Sequence, residues 1–209
     1  MDVLIACEES QIVCMEFRKL GYNAFSCDNE NFSGNFPEYH LMMDARKAVK
    51  LKKWDLIIAH PPCDRLANSG VRWLEERQLF EEFQKAVDFF NFFVKLGKGG
   101  QRIAIENPIQ HSYARQYIEK YDQLIQPYQF GHPEQKSTCL WLFGLPKLKS
   151  TNNVYKEMMK LPIAERQKIW YMGGINKEQR SKTYQGIAEA MAKQWSNIQT
   201  PYNKLLFYL

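Results

Sequence analysis

The chain has 209 residues and a mass of 24.7 kDa, the size of one domain at about 100 to 200 residues each. Its 45% hydrophobic and 24% charged residues suit a globular core and exclude a charge-rich disordered segment. The net charge of +5 is uneven: residues 1–100 hold 13 Lys/Arg against 15 Asp/Glu, whereas residues 101–209 hold 15 against 8.

In chain order, Val3-Leu4-Ile5-Ala6-Cys7 reads as a buried strand, followed by a helix from Ile12 to Leu20 that Gly21 can stop. Ala24–Cys27 is a second strand ending at Asp28, Asn29–Pro37 is a turn-rich loop, and Leu41-Met42-Met43 is a third strand ending at Asp44. Trp54–Ala59 is the cleanest buried strand; it must break at His60-Pro61-Pro62-Cys63, because proline cannot continue a central strand. Val71–Leu96 has helical spacing, with Leu79, Phe83, Val87, Phe90 and Val94 on one side. Ile103-Ala104-Ile105 is a strand stopping at Glu106-Asn107-Pro108, a short helix is expected around Tyr113–Lys120, and strands follow at Leu124–Phe130 and Cys139–Phe143. After Pro146 the composition turns basic, and Ser181–Trp195 closes the chain as a helix with Ile187, Met191 and Trp195 on one face.

Alternating strands and helices predict a mostly parallel, doubly wound Rossmann-like α/β sheet with helices on both faces, in a single domain spanning 1–209. Ligands of such sheets bind at the carboxyl ends of the strands, where Cys7-Glu8-Glu9-Ser10, Asp28, Asp44, His60–Cys63 and Glu106–Pro108 all fall. No stretch approaches the roughly 18 apolar residues of a membrane helix, and the N-terminus has no basic leader, so a cytoplasmic protein is expected. Five widely spaced cysteines without a CxxC predict free thiols and no metal site.

Asp28 and Asp44 suit a nucleoside-containing cofactor, one carboxylate accepting ribose hydroxyl protons and the other an adenine amino proton; each can also cap a following helix. Two prolines after a strand, followed by an aromatic residue, are used by enzymes that methylate exocyclic amines of bases. Here Cys63 takes the aromatic position. A thiol can attack carbon 6 of a pyrimidine, the step needed when the methyl acceptor is the unreactive carbon 5. Such addition requires ring nitrogen 3 to be protonated or strongly hydrogen-bonded, which a carboxyl group at Glu106 can supply while Asn107-Pro108 fixes its turn.

Asp55–Cys63, Ile103–Pro108 and Phe130–Phe143 together resemble cytosine-5 methyltransferases of the DNA-modifying class. With Ala6-Cys7-Glu8-Glu9-Ser10-Gln11 and the late Gly186–Trp195 segment, the chain is more narrowly similar to the compact phage and prophage members that lack a large target-recognition domain. The resemblance implies S-adenosylmethionine as cofactor, with Cys63 as nucleophile, Glu106 as base-protonating residue, Asp28 on the ribose and Asp44 on the adenine. It puts Cys7, Glu8, Glu9, Ser10 and Gln11 around the methionine part and His60, Pro61 and Pro62 beneath the cofactor. The first loop contains no glycine, and Lys136 and Thr138 stand where the family has arginines contacting base and nucleophile loop. Arg65, Asn68, Arg72 and Trp73 fall on the loop expected to close over the base, with Asn107 and Thr138 also beside it. In place of a recognition domain there is only the reduced basic insertion 150–179, where Tyr155, Trp170 and Tyr171 alternate with Lys156, Lys160, Arg166 and Lys168, a mixture suited to phosphates and unstacked bases. DNA, duplex or single-stranded, is the expected partner; RNA or a free cytidine nucleotide is the alternative substrate, and a non-catalytic binding protein the alternative class.

Overall fold

The computed structural model describes residues 1–68, 71, 74, 76–171 and 180–196. Seven strands form one sheet: β1 (Asp2–Ala6), β2 (Asn23–Asp28), β3 (His40–Met42), β4 (Leu56–Ala59), β5 (Ile103–Pro108), β6 (Gln123–Ile125) and β7 (Thr138–Phe143). Their order is β3-β2-β1-β4-β5-β7-β6. The first five are parallel, and β7 runs antiparallel to both β5 and β6. This is the expected doubly wound, Rossmann-like α/β architecture.

Side chains of each central strand alternate between two apolar layers, as the period of two requires. Leu4, Ala6, Ile57, Ala59, Ile103 and Ile105 face one layer, where α2 (Ala45–Ala48) and α3 (Phe80–Lys98) supply Ala45, Ala48, Phe83, Val87, Phe90 and Phe93. Val3, Ile5, Leu56, Ile58 and Ala104 face the other, against Val13, Cys14 and Phe17 of α1 (Ile12–Lys19). The same layer receives Ile187, Met191 and Trp195 of the closing helix. Three short helices, α4 (Tyr155–Met158), α5 (Ile163–Arg166) and α6 (Lys168–Tyr171), occupy the basic insertion before the closing helix α7 (Gln185–Ser196).

Several boundaries differ from the sequence reading for physical reasons. The long helix begins at Phe80 rather than Val71, because Gln78 is left-handed (φ 53°) and the turn at 77–79 breaks the helical ladder; residues 69, 70, 72, 73 and 75 lie outside the described residues. β5 runs on through Glu106-Asn107-Pro108 because antiparallel β7 pairs with it to its end, Glu106 against Leu140 and Pro108 against Thr138. β6 stops at Ile125, where Pro127 opens a 3-10 turn, and the helix expected at 113–120 is a 3-10 turn at Ala114–Gln116.

β7 positions the site. Because it is antiparallel, its start comes to the edge where the parallel strands end, so Lys136 and Thr138 arrive beside Glu106.

Candidate functional site

The strand order reverses between β1 and β4, and the crevice outside their carboxyl ends is the place such sheets bind ligands. The β1 loop has no glycine, yet Cys7 and Gln11 both sit at φ 60°. Each takes the left-handed shape that glycine adopts freely, at a cost of about 1–2 kcal/mol apiece. The strain is held by contacts around it. Glu8, almost fully buried, turns inward and accepts from Val13 N (2.6 Å) and Cys14 N (3.2 Å), satisfying the first turn of α1. Gln11 Nε2 donates to the Phe36 carbonyl (2.8 Å) and its Oε1 accepts from Phe36 N (3.1 Å), which fastens the 29–37 loop over the first. Gly34 leaves room for that amide, since a Cβ there would meet Gln11 Oε1 at 2.2 Å. The side chains of Glu8 and Gln11 therefore shape the loop, while Cys7, Glu9 and Ser10 form its remaining face.

Asp28 ends β2 and accepts from Glu30 N (2.9 Å). Asp44 caps α2 through Arg46 N (2.7 Å), and the Arg46 guanidinium forks onto the same carboxylate, holding its pKa below the ordinary value. Burial, and then the charges of Asp28, Cys27 and Asp44, push the Cys7 thiol well up.

Ala59 pairs with Ile105, so the next residues, His60 just past the end of β4 and Glu106 still within β5, stand side by side. His60 Nδ1 lies 3.2 Å from Glu106 Oε2. Burial opposes charging of His60, but the hydrogen bond and charge of Glu106, together with the charge of Glu8, raise its pKa overall. Burial likewise pushes Glu106 up, and is outweighed by His60 and Lys136, so Glu106 titrates below the usual range. Nε2 of His60 is buried and has no hydrogen-bond partner among the described residues. An unpaired polar atom at the switch point is a place for a polar ligand atom.

Pro61 is buried, and Pro62 and Cys63 are exposed beyond it. Asn107, 1% exposed, donates Nδ2 to the Pro61 carbonyl (2.8 Å), tying the end of β5 to the turn that carries Cys63. It therefore positions that turn from below. Protein packed around the Cys63 thiol raises its pKa first and the Glu106 charge raises it further, against the Lys136 charge. Cys63, Glu106 and Lys136 are thus within electrostatic reach of one another. Lys136 donates Nζ to the Arg180 carbonyl (2.7 Å), and Thr138, nearly buried, donates Oγ1 to the Lys136 carbonyl (3.3 Å). Past Cys63, Arg65 pairs with Asp64 (3.1 Å) and accepts at its carbonyl from His111 Nε2 (2.9 Å), and Asn68 is exposed. Arg72 and Trp73 lie outside the described residues.

Sequence reasoning missed one wall of the site. Ser181, Thr183 and Tyr184 line a narrow cleft with Glu106, Lys136 and Thr138, and Tyr184 donates its hydroxyl to Glu134 Oε2 (2.6 Å). Gly186, in the first turn of α7 behind them, donates its N–H to His132 Nε2 (3.0 Å). The signal was the alternation Gly131-His132-Pro133-Glu134 facing Thr183-Tyr184-Gln185-Gly186, legible only once both segments are known to meet. Another concavity, lined by Lys53, Phe92, Lys95 and Gln101, lies at the opposite sheet edge, before β4 and β5 begin. Among the described residues, no group of three His, Cys, Asp or Glu could hold a metal, and no helix is long and apolar enough to cross a membrane.

No protein-family model matches the chain, and no curated protein matches it. Among solved structures, it is similar to a prophage-encoded E. coli protein described as a candidate DNA modification methyltransferase, at 14% identity and a TM-score of 0.42. That match covers 78% of this chain and 56% of the other, so the chain spans little more than half the length of that structure.

Proposed function

We propose that the protein transfers a methyl group from S-adenosylmethionine to carbon 5 of cytosine in DNA, through a covalent adduct of Cys63. The observation that carries this reading is that Glu106 and Lys136 share one cleft and both act electrostatically on the Cys63 thiol, the three coming from separate segments. A cytosine attacked at carbon 6 needs those three: a nucleophile, a proton source for nitrogen 3, and positive charge beside the developing anion.

The residues at the crevice support this cofactor. The loop Cys7–Gln11 would hold its amino-acid end, Asp28 the ribose hydroxyls, Asp44 the adenine amine, and Pro61 the floor, with His60 Nε2 offering an unpaired polar atom. When bound, the cofactor supplies an electrophilic methyl on a sulfonium centre. Cys63 is protonated at rest, since its pKa is raised; the Lys136 charge acts in favour of the thiolate. Asn107 keeps the Pro61-Pro62-Cys63 turn at fixed depth relative to Glu106 on the same strand end.

The insertion 150–179 is read as the substrate-choosing surface, of which residues 150–171 are described. Tyr155, Ile163, Trp170 and Tyr171 are exposed among Lys156, Lys160, Arg166 and Lys168. This surface is joined to the site: Gln135, the neighbour of Lys136, donates its N–H to the Arg166 carbonyl (2.6 Å) and accepts from Gln167 Nε2 (3.0 Å). Exposed rings beside cations suit single-stranded or flipped bases more than duplex edges. Incubation with labelled S-adenosylmethionine and, separately, duplex DNA, single-stranded DNA, RNA and cytidine nucleotides tests the reading. Label on carbon 5 of cytosine in DNA is expected; label on none of the substrates, or on an exocyclic amine, overturns it.

A further inference from the structure

Glu106 carries a difficulty that the fold resolves. Nitrogen 3 must receive a proton as the thiolate adds, yet Glu106 is held ionised by its surroundings and has none to give. A group that can carry one is His60, with Nδ1 3.2 Å from Glu106 Oε2, on the turn after β4 that also carries Cys63. We propose that His60 is a proton-holding and positioning residue for Glu106, the two sharing one proton that is lent to nitrogen 3 of cytosine during Cys63 addition. The inference rests on the cytosine reading of the site.

The step balances without any further reagent. The exposed Cys63 thiol gives its proton to solvent and the thiolate forms a bond to carbon 6, the carbon 5–carbon 6 pair moves to carbon 4–carbon 5, and the carbon 4–nitrogen 3 pair moves onto nitrogen 3. The proton on His60 Nδ1 passes to Glu106 as Glu106 hands it on to nitrogen 3, leaving His60 neutral and Glu106 ionised. Elimination of the thiolate returns the proton to the pair. Three charged groups bear on His60: Glu106 from β5 and Glu8 from the β1 loop favour its charged form, and Lys136 from the approach to β7 opposes it. Glu106 through its hydrogen bond, and Glu8 through its charge, act on the imidazole from the strands on either side of β4, which lets it keep a proton in a buried place where burial alone would remove it.

The test uses exchange of the carbon 5 hydrogen of cytosine with solvent in single-stranded DNA. Exchange needs thiol addition and a nitrogen 3 proton and proceeds without the methyl donor. In the parent, exchange should fall at high pH as the pair loses its proton. In His60→Gln, which can still donate a hydrogen bond but carries no mobile proton, Glu106 must hold the proton itself. The alkaline limb should then move at least one pH unit lower, and exchange at pH 8 should drop by about tenfold or more. An unchanged alkaline limb with reduced amplitude would make His60 merely structural and overturn the proposal. If His60→Gln exchanges at no pH, the titration of the His60 ring proton by NMR decides: a lower pKa in Glu106→Gln than in the parent supports the shared proton, and an unchanged one refutes it. Absence of exchange in the parent defeats the cytosine reading and this inference together, whereas exchange in the parent with an unshifted variant defeats this inference alone.

Discussion

Replacing Glu8 by glutamine should change how folding stability depends on pH. The Glu8 carboxyl is buried, and burial raises its pKa from 4.5 to about 7; the His60 charge and the hydrogen bonds from Val13 and Cys14 pull the other way without cancelling this. A carboxyl that binds its proton more tightly when folded favours the native state at low pH, and that advantage disappears as pH rises through its folded pKa. Displacement from 4.5 to about 7 corresponds to about 3 kcal/mol in all, of which about 2.5 kcal/mol is lost between pH 5 and pH 8. Glutamine keeps the bond from Val13 N but turns an amide toward Cys14 N, a roughly constant penalty of about 1 kcal/mol. The difference in stability between variant and parent should therefore swing by about 2–3 kcal/mol in the variant's favour from pH 5 to pH 8. His60 adds to the same slope in the parent, because its pKa is also raised and its stabilising contribution is likewise lost on going alkaline. Glu106, with a lowered pKa, acts below pH 4.5 and stays out of this window. Urea unfolding at intervals from pH 5 to pH 8 measures the swing. Parallel stability curves for the two proteins would refute the buried-charge account of the β1 loop.

Gly186→Ala should destabilise the chain by about 1–3 kcal/mol or more, because a Cβ there would lie 1.9 Å from the Phe130 carbonyl oxygen, a backbone atom that cannot swing aside. The loss should appear in thermal unfolding, and a variant as stable as the parent would mean that α7 does not enter the fold as described. Trp170 is 78% exposed, so Trp170→Ala should leave stability unchanged while weakening binding to single-stranded DNA by about 1–3 kcal/mol at fixed salt. Unaltered affinity in fluorescence anisotropy would remove the insertion from the substrate-binding surface.

Much of the framework could be read from local signals. The apolar runs ending in Cys7, Asp28, His60-Pro61-Pro62-Cys63 and Glu106-Asn107-Pro108 gave both the strands and the edge where chemistry could gather, because polar residues closing buried strands have no other place in such a sheet. What could not be read depends on register and direction. His60 was assigned to the cofactor, and only the pairing of Ala59 with Ile105 sets it against Glu106. The resemblance puts Glu8 and Gln11 around the methionine part of the cofactor. Their side chains instead serve the first turn of α1 and the 29–37 loop, supporting the left-handed residues at Cys7 and Gln11. The wall formed by Ser181, Thr183 and Tyr184 depends on an antiparallel β7, and a parallel sheet would have put Lys136 at the far edge.

The central claim is that Cys63 becomes covalently joined to a cytosine ring, and trapping it is the most direct measurement. An oligonucleotide containing 5-fluorocytosine, incubated with the protein and S-adenosylmethionine, leaves carbon 5 without a removable proton and arrests the adduct. Mass spectrometry should find protein plus oligonucleotide in a species that survives denaturation, with the crosslinked peptide containing Cys63 and no such species in Cys63→Ala. Absence of the adduct in the parent on DNA, RNA and cytidine substrates, or its persistence in Cys63→Ala, would contradict the account.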